Sequence, residues 1–202
     1  MEIKDVDKKK FDFDSFFNNN KSFIYSVIFY IAGLLLGALI YSQLNDSAAE
    51  LISKAVNPIT SDFKKMFFST VAVYIAVFVF VVIFGVSLFG FRFINCIPLL
   101  IGFAVALKIS YFYTSYSANG ITYCALLVIP QSCVFAETII YTIKSSSLMS
   151  RQIYNSTTKK SDTEDFNLKL YLKDFVIYIV VIIVISALNS LITSSLVTII
   201  KI

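Results

Sequence analysis

The stretch Val128–Ile139 reads VIPQSCVFAETI and lies inside the apolar run Ile121–Ile143. Proline, glutamine and glutamate are each unfavourable inside a membrane helix. How this stretch is read therefore decides the fold: either the run does not span a bilayer, or its polar residues have partners there.

The surrounding composition argues for spanning. The chain has 202 residues, of which 57% are hydrophobic and only 15% charged, with mean hydropathy +0.79. Soluble domains carry about 25% charge and about 45–50% apolar residues. The excess comes in five blocks, roughly 22–43, 67–89, 93–112, 121–143 and 175–200. Each is about 20 residues or longer, matching a hydrocarbon core about 30 Å thick at about 1.5 Å rise per residue. The sequence thus predicts an all-α integral membrane bundle of five transmembrane helices forming one domain over 22–200. A polar tail, 1–21, precedes it and reads as retained, because it has no secretory cleavage pattern. Phe11, Phe13, Phe16 and Phe17 alternate with Asp12, Asp14 and Ser15 in that tail. They could rest on a membrane or belong to a flexible segment.

Lysine and arginine set the expected orientation. With the tail inside, the inner side holds Lys4, Lys8, Lys9, Lys10, Lys21, Arg92, Lys144, Arg151, Lys159, Lys160, Lys169 and Lys173. The outer side holds Lys54, Lys64, Lys65, Lys108 and Lys201. This bias places the N-terminus inside and the C-terminus outside. Around Gly90 and Arg92 the second and third spans form a tight inner hairpin.

The outer connection, 44–66, contains SAAELISKAVNP. Ser47 and Glu50 have capping-box spacing, Leu51, Ile52, Ala55 and Val56 make an apolar stripe, and Asn57-Pro58 ends it. A short amphipathic surface helix is expected, with Leu51, Ile52 and Ala55 as docking candidates. The inner connection, 145–174, starts with three serines and ends in FNLKLYLKDF, a pattern that suits either an interfacial approach or a solvated loop.

Catalytic chemistry finds no foothold. The chain has no histidine, which removes the usual general base and metal ligand. Glu137 is the only acid well inside a span, so no carboxylate pair forms. Cys96, Cys124 and Cys133 have no CxxC spacing and read as small hydrophobes. No phosphate-binding glycine loop is present. No enzyme activity, cofactor or metal is expected. The basic residues read as inner-side membrane charge and give no support for nucleic-acid binding.

The polar residues inside spans read as packing devices. Gly33 and Gly37 lie four apart on one face of the first span, where they admit a close neighbouring backbone. Gly85 and Gly102 repeat the theme in the second and third spans. In the fourth span Glu137 sits about 24 Å from the outer end, low enough to face Arg92 or Asn95, or simply inner-side water. Lys108 is expected to snorkel to the outer interface. Pro130 kinks the helix and frees the Leu126 carbonyl. Gln131 lies level with Ser186, within reach of a hydrogen bond between helices.

In order and spacing these features resemble the stage II sporulation protein M (SpoIIM) family. The resemblance rests on IAGLLLGAL at Ile31–Leu39, the outer amphipathic segment, IPLLIGFAVAL at Ile97–Leu107 and IPQSCVFAE at Ile129–Glu137. The chain differs from the family pattern at Ala106, where a second glycine is common, and at Ser132. Some relatives carry a glutamate nearer the proline, so no functional role transfers to Glu137. The resemblance implies a non-enzymatic polytopic membrane protein. Founding members hold the peptidoglycan hydrolases SpoIID and SpoIIP at the septal membrane during engulfment, whereas other relatives occur beside transporter components. Two readings follow. The chain is a cell-membrane scaffold that positions partner proteins, with homo-oligomers also open to it. Alternatively, it is a small transport component or an accessory subunit of an ABC-type exporter, with Gln131, Glu137, Ser186 and Asn189 along its path.

Overall fold

The computed structural model describes residues 20–45, 50–52, 62–159 and 168–200. Among these it is entirely helical, with no strand. We label the helices α1 (Lys21–Tyr41), α2 (Phe63–Val86), α3 (Gly90–Phe93), α4 (Ile97–Tyr123), α5 (Ile129–Lys159) and α6 (Leu168–Ile200). A 3-10 turn, Ile94–Cys96, links α3 to α4, and a π-helical turn, Cys124–Val128, links α4 to α5. The tail up to residue 19, together with Ser47, Ala55, Val56, Asn57 and Pro58, lies outside the described residues, as does 160–167 of the inner connection.

Four helical stretches are long and apolar enough to cross a membrane: Lys21–Tyr41, Phe63–Val86, Gly90–Thr158 and Tyr171–Ser195. The third contains 69 residues, which as a straight helix would reach about 100 Å. It is not straight. Ser117 has φ 49° and ψ −124°, and there the chain doubles back. The Phe112 and Tyr123 rings are 4.6 Å apart, where a continuous helix would separate them by about 16 Å. Gly120 permits the reversal, since a Cβ there would collide with the Phe112 carbonyl. The third and fourth apolar runs, expected as separate spans, are therefore joined through one residue rather than a loop.

The inner connection also differs from expectation. It was to begin at Ser145, yet α5 continues as helix to Lys159. The serine-rich stretch does not break it because Ser146 and the following Ser150 are buried and bonded. Ser146 shares a 3.0 Å hydrogen bond with the Tyr171 hydroxyl, and Ser150 bonds the turn that precedes α3. Ile143 and Met149 on the same face are also buried. Helix continues because this face still has a core to fill.

α1 packs along α4 in the most extensive interface of the bundle, while α2 packs on α5 and α6. The larger core joins α2, the 3-10 turn, α5 and α6 through Phe78, Val81, Ile94, Ile139, Ile143, Phe175 and Ile182. A smaller one gathers Tyr111, Phe112, Tyr123, Cys124, Leu127 and Val128 around the reversal. Of the outer amphipathic segment, residues 50–52 are helical. Leu51 is exposed, and Ile52 packs against the smaller core. Many large apolar side chains face outward, among them Leu35, Leu39, Ile83, Val176 and Leu188. A hydrocarbon solvent makes such a surface favourable.

Candidate functional site

The glycines fall into two groups. Gly33, Gly37 and Gly102 share the α1–α4 crossing. A Cβ on Gly33 would strike the Leu99 carbonyl, and one on Gly102 would strike the Tyr30 carbonyl. A Cβ on Gly37 would stand 2.6 Å from the Phe103 oxygen and 2.8 Å from the Ala106 Cβ. Each helix lays its glycines against the other's backbone, so the approach is closer than any side chain allows. Gly85 belongs elsewhere: a Cβ there would meet the Tyr171 hydroxyl and Ser146. Its bareness makes room for a polar contact between α5 and α6.

That contact is one of several that tie the helices together at one end. Besides Ser146, the Tyr171 hydroxyl lies 3.4 Å from the Val82 carbonyl. Ser150 donates to the Ser87 carbonyl at 2.5 Å and accepts from the Phe91 amide at 3.0 Å. One serine thereby satisfies both sides of the α2–α3 turn. Arg92 and Arg151 both stand over the Phe91 ring, at 5.7 and 5.9 Å. Lys144 Nζ donates to Asn20 Oδ1 at 3.2 Å.

Glu137 does not join this network. Among the described residues no ion pair links it to Arg92, which packs on Phe91. Asn95 Oδ1 instead accepts from Ser22 and Ser26, each at 3.4 Å. Glu137 is exposed, on the same outward stripe of α5 as Val134, Tyr141 and Leu148. The expected pairing is thus corrected. Depth along the axis matched it, but rotation about the axis did not. Pro130 is exposed too, two residues past the π-helical segment. Of the cysteines, Cys124 is buried in the smaller core, while Cys96 and Cys133 lie at the exposed surface.

The other end of the bundle is open inside. Among the described residues α2 and α4 share no packed interface, and a cavity of about 340 Å³ fills the space between them. α5 and α6 form its back wall. Its polar lining comes from Ser69, Thr70, Lys108, Gln131, Ser132 and Asn189, together with Tyr74 and Tyr123. Tyr74 and Phe135, stacked with ring centroids 3.8 Å apart, both line the cavity. Beyond that pair lies the larger core, with Phe78 edge-on to Phe175 at 5.5 Å.

Gln131 faces Asn189, not Ser186: the two amides line this cavity and also a neighbouring one of about 190 Å³ between α5 and α6. The expected Gln131–Ser186 hydrogen bond is absent, and Ser186 Oγ is buried without a partner. Thr193 Oγ1 is likewise buried, beside the Tyr123 hydroxyl. Lys108 also departs from expectation. It is partly buried in the cavity wall, because the helix carrying it continues past the hydrophobic boundary read from sequence. Sequence reasoning missed Tyr123 and Ser132 as cavity residues. The one available signal was Lys108, the lone cation inside the third apolar run.

Comparison with curated proteins and with solved structures returns no match. The family model of Stage II sporulation protein M matches residues 26–196, a range that takes in the glycine crossing, the reversal, the cavity and most of α6. The chain is a membrane protein of the SpoIIM family.

Proposed function

We propose that this chain is a non-enzymatic scaffold in the cell membrane that positions partner proteins, with five crossings, N-terminus inside and C-terminus outside. The observation that carries the reading is the filled lower half of the bundle. Buried Phe78, Val81, Ile139, Ile143, Phe175 and Ile182 fill that half with apolar side chains. A rigid, closed bundle suits holding partners better than conducting a solute. Family membership supports the same reading, and the resemblance noted above makes peptidoglycan hydrolases the partner class.

The grouping of the helix ends supports five crossings. Asn20, Ser87, Phe91, Lys144, Ser150 and Tyr171 meet at one end through the contacts described above. Tyr41 meets Thr114 at the other, at 2.9 Å. Chain direction alternates between these ends, with the reversal at Ser117 supplying the additional crossing. Lys21, Arg92, Lys144 and Arg151 all lie at the first end, which the positive-inside rule places in the cytoplasm.

A photo-reactive residue at Leu51, exposed on the outer segment, tests the scaffold in native membranes. Adducts with a peptidoglycan hydrolase are the expected result. An absence of protein adducts refutes it. Single cysteines at Ser42 and Ala118 should label from outside, and those at Asn20 and Phe89 from inside; labelling of Ala118 from inside overturns the five-crossing topology.

A second reading, a transport subunit, is favoured by one observation: the cavity that joins Gln131 and Asn189. Adducts with an ATP-binding subunit or a permease would select it.

A further inference from the structure

We propose that the cavity between α2 and α4 is an anion site that takes a phosphate group, with Lys108 as its cation and the Gln131 and Asn189 amides as donors. This rests on the bundle alone and not on the scaffold reading.

Lys108 lies about 13 Å along α4 from the reversal at Ser117, well inside the apolar length of that helix. An uncompensated charge at such depth is costly and is retained where it has a partner. Among the described residues no acidic side chain lines the cavity. Among the described residues no ion pair to Lys108 is found, which leaves its charge open to an anionic ligand. The lining is built to complement an anion. Gln131 and Asn189 bring amide donors from α5 and α6, and Ser69, Thr70, Ser132 and Tyr123 bring hydroxyls. Donors from four separate helical segments around one cation can surround a tetrahedral oxyanion, each bond strengthened by the charge. At about 340 Å³ the space falls in the range of ordinary small-molecule sites, about 300–1,000 Å³.

Its remaining wall is apolar, formed by Met66, Val73, Val77 and Ile101, and it lies between α2 and α4, which share no packed interface among the described residues. A phosphate could therefore enter as the headgroup of an anionic lipid or as a free ion. The chemistry at Lys108 is the same for both.

The test uses the purified full-length chain with two probes: phosphatidylglycerol, read by native mass spectrometry against phosphatidylcholine, and inorganic phosphate, read by thermal stabilisation. Wild type should bind at least one probe. Lys108→Gln should weaken that binding about tenfold or more, the loss typical of a charged hydrogen-bond partner, while Lys108→Arg should largely keep it. Phosphatidylglycerol binding alone identifies a lipid headgroup, and phosphate stabilisation alone identifies a free ion. Asn189→Ala, which removes a donor without touching the charge, should weaken binding several-fold and covers the case in which Lys108→Gln does not fold. Binding of neither probe by wild type, or equal binding by wild type and both variants, overturns the proposal. Because no partner protein is present, this outcome is separable from failure of the cross-linking experiment.

Discussion

The crossing of α1 and α4 can be tested by adding single methyl groups. In Gly37→Ala the new Cβ would stand 2.6 Å from the Phe103 carbonyl oxygen and 2.8 Å from the Ala106 Cβ, where ordinary contacts lie at 3.4–4 Å. In Gly33→Ala it would meet the Leu99 carbonyl more closely still. Both obstacles include backbone, so no change of rotamer relieves them, and α1 must retreat along its main interface. Overpacking of this kind costs about 1–3 kcal/mol. Alanine's better helix propensity returns less than about 1 kcal/mol, so each substitution should destabilise by about 1–2 kcal/mol, with Gly33→Ala the worse. Leu35→Ala is the control, because Leu35 is 63% exposed on the opposite side of α1 and should change stability by about 0.5 kcal/mol or less. Reversible unfolding in bicelles, followed by circular dichroism, measures all three. If Gly33→Ala and Gly37→Ala are no less stable than Leu35→Ala, the close crossing does not hold the bundle together and the reasoning fails.

Two further perturbations probe the other end of the bundle. Tyr171→Phe and Ser146→Ala each remove one half of a buried 3.0 Å hydrogen bond; the first strands the Ser146 hydroxyl, whereas the second leaves Tyr171 only its longer contact to the Val82 carbonyl. Each should cost about 1–3 kcal/mol, and a double-mutant cycle should show strong coupling; additive losses would mean the bond contributes nothing. Glu137→Gln, by contrast, should shift stability by about 0.5 kcal/mol or less, since Glu137 is exposed and separate from Arg92 and Asn95. A loss of several kcal/mol in the same unfolding assay would restore the buried pair.

The legible part of the candidate site was its set of residues, not its arrangement. Gly33 and Gly37 could be read as a packing pair because helical spacing alone puts residues four apart on one face. Their partner could not, since the pair is compatible with any neighbour that offers backbone. Gln131 was recognised as polar at mid-depth, and its matching with Ser186 used the only coordinate available, rise per residue. Asn189, one turn further along α6, proved to be on the facing side. Ser145, Ser146 and Ser147 looked like a loop by composition, yet burial of Ser146 beside Tyr171 shows that tertiary partners override that prior.

Sequence alone determined the membrane class, the helical content, the approximate length of each apolar run and the family. All of these follow from composition and from order along the chain. Rotation of each helix about its axis was decided only by the tertiary structure. In water a helix shows its buried face through amphipathicity, whereas in a bilayer both the lipid side and the core side are apolar, and the signal fades. Glu137 could therefore turn outward and Lys108 inward with no trace in the hydropathy pattern. The place of the reversal was legible, since Ser117 falls between the third and fourth apolar runs, but its form, one residue at positive φ beside a bare Gly120, was decided only by the tertiary structure.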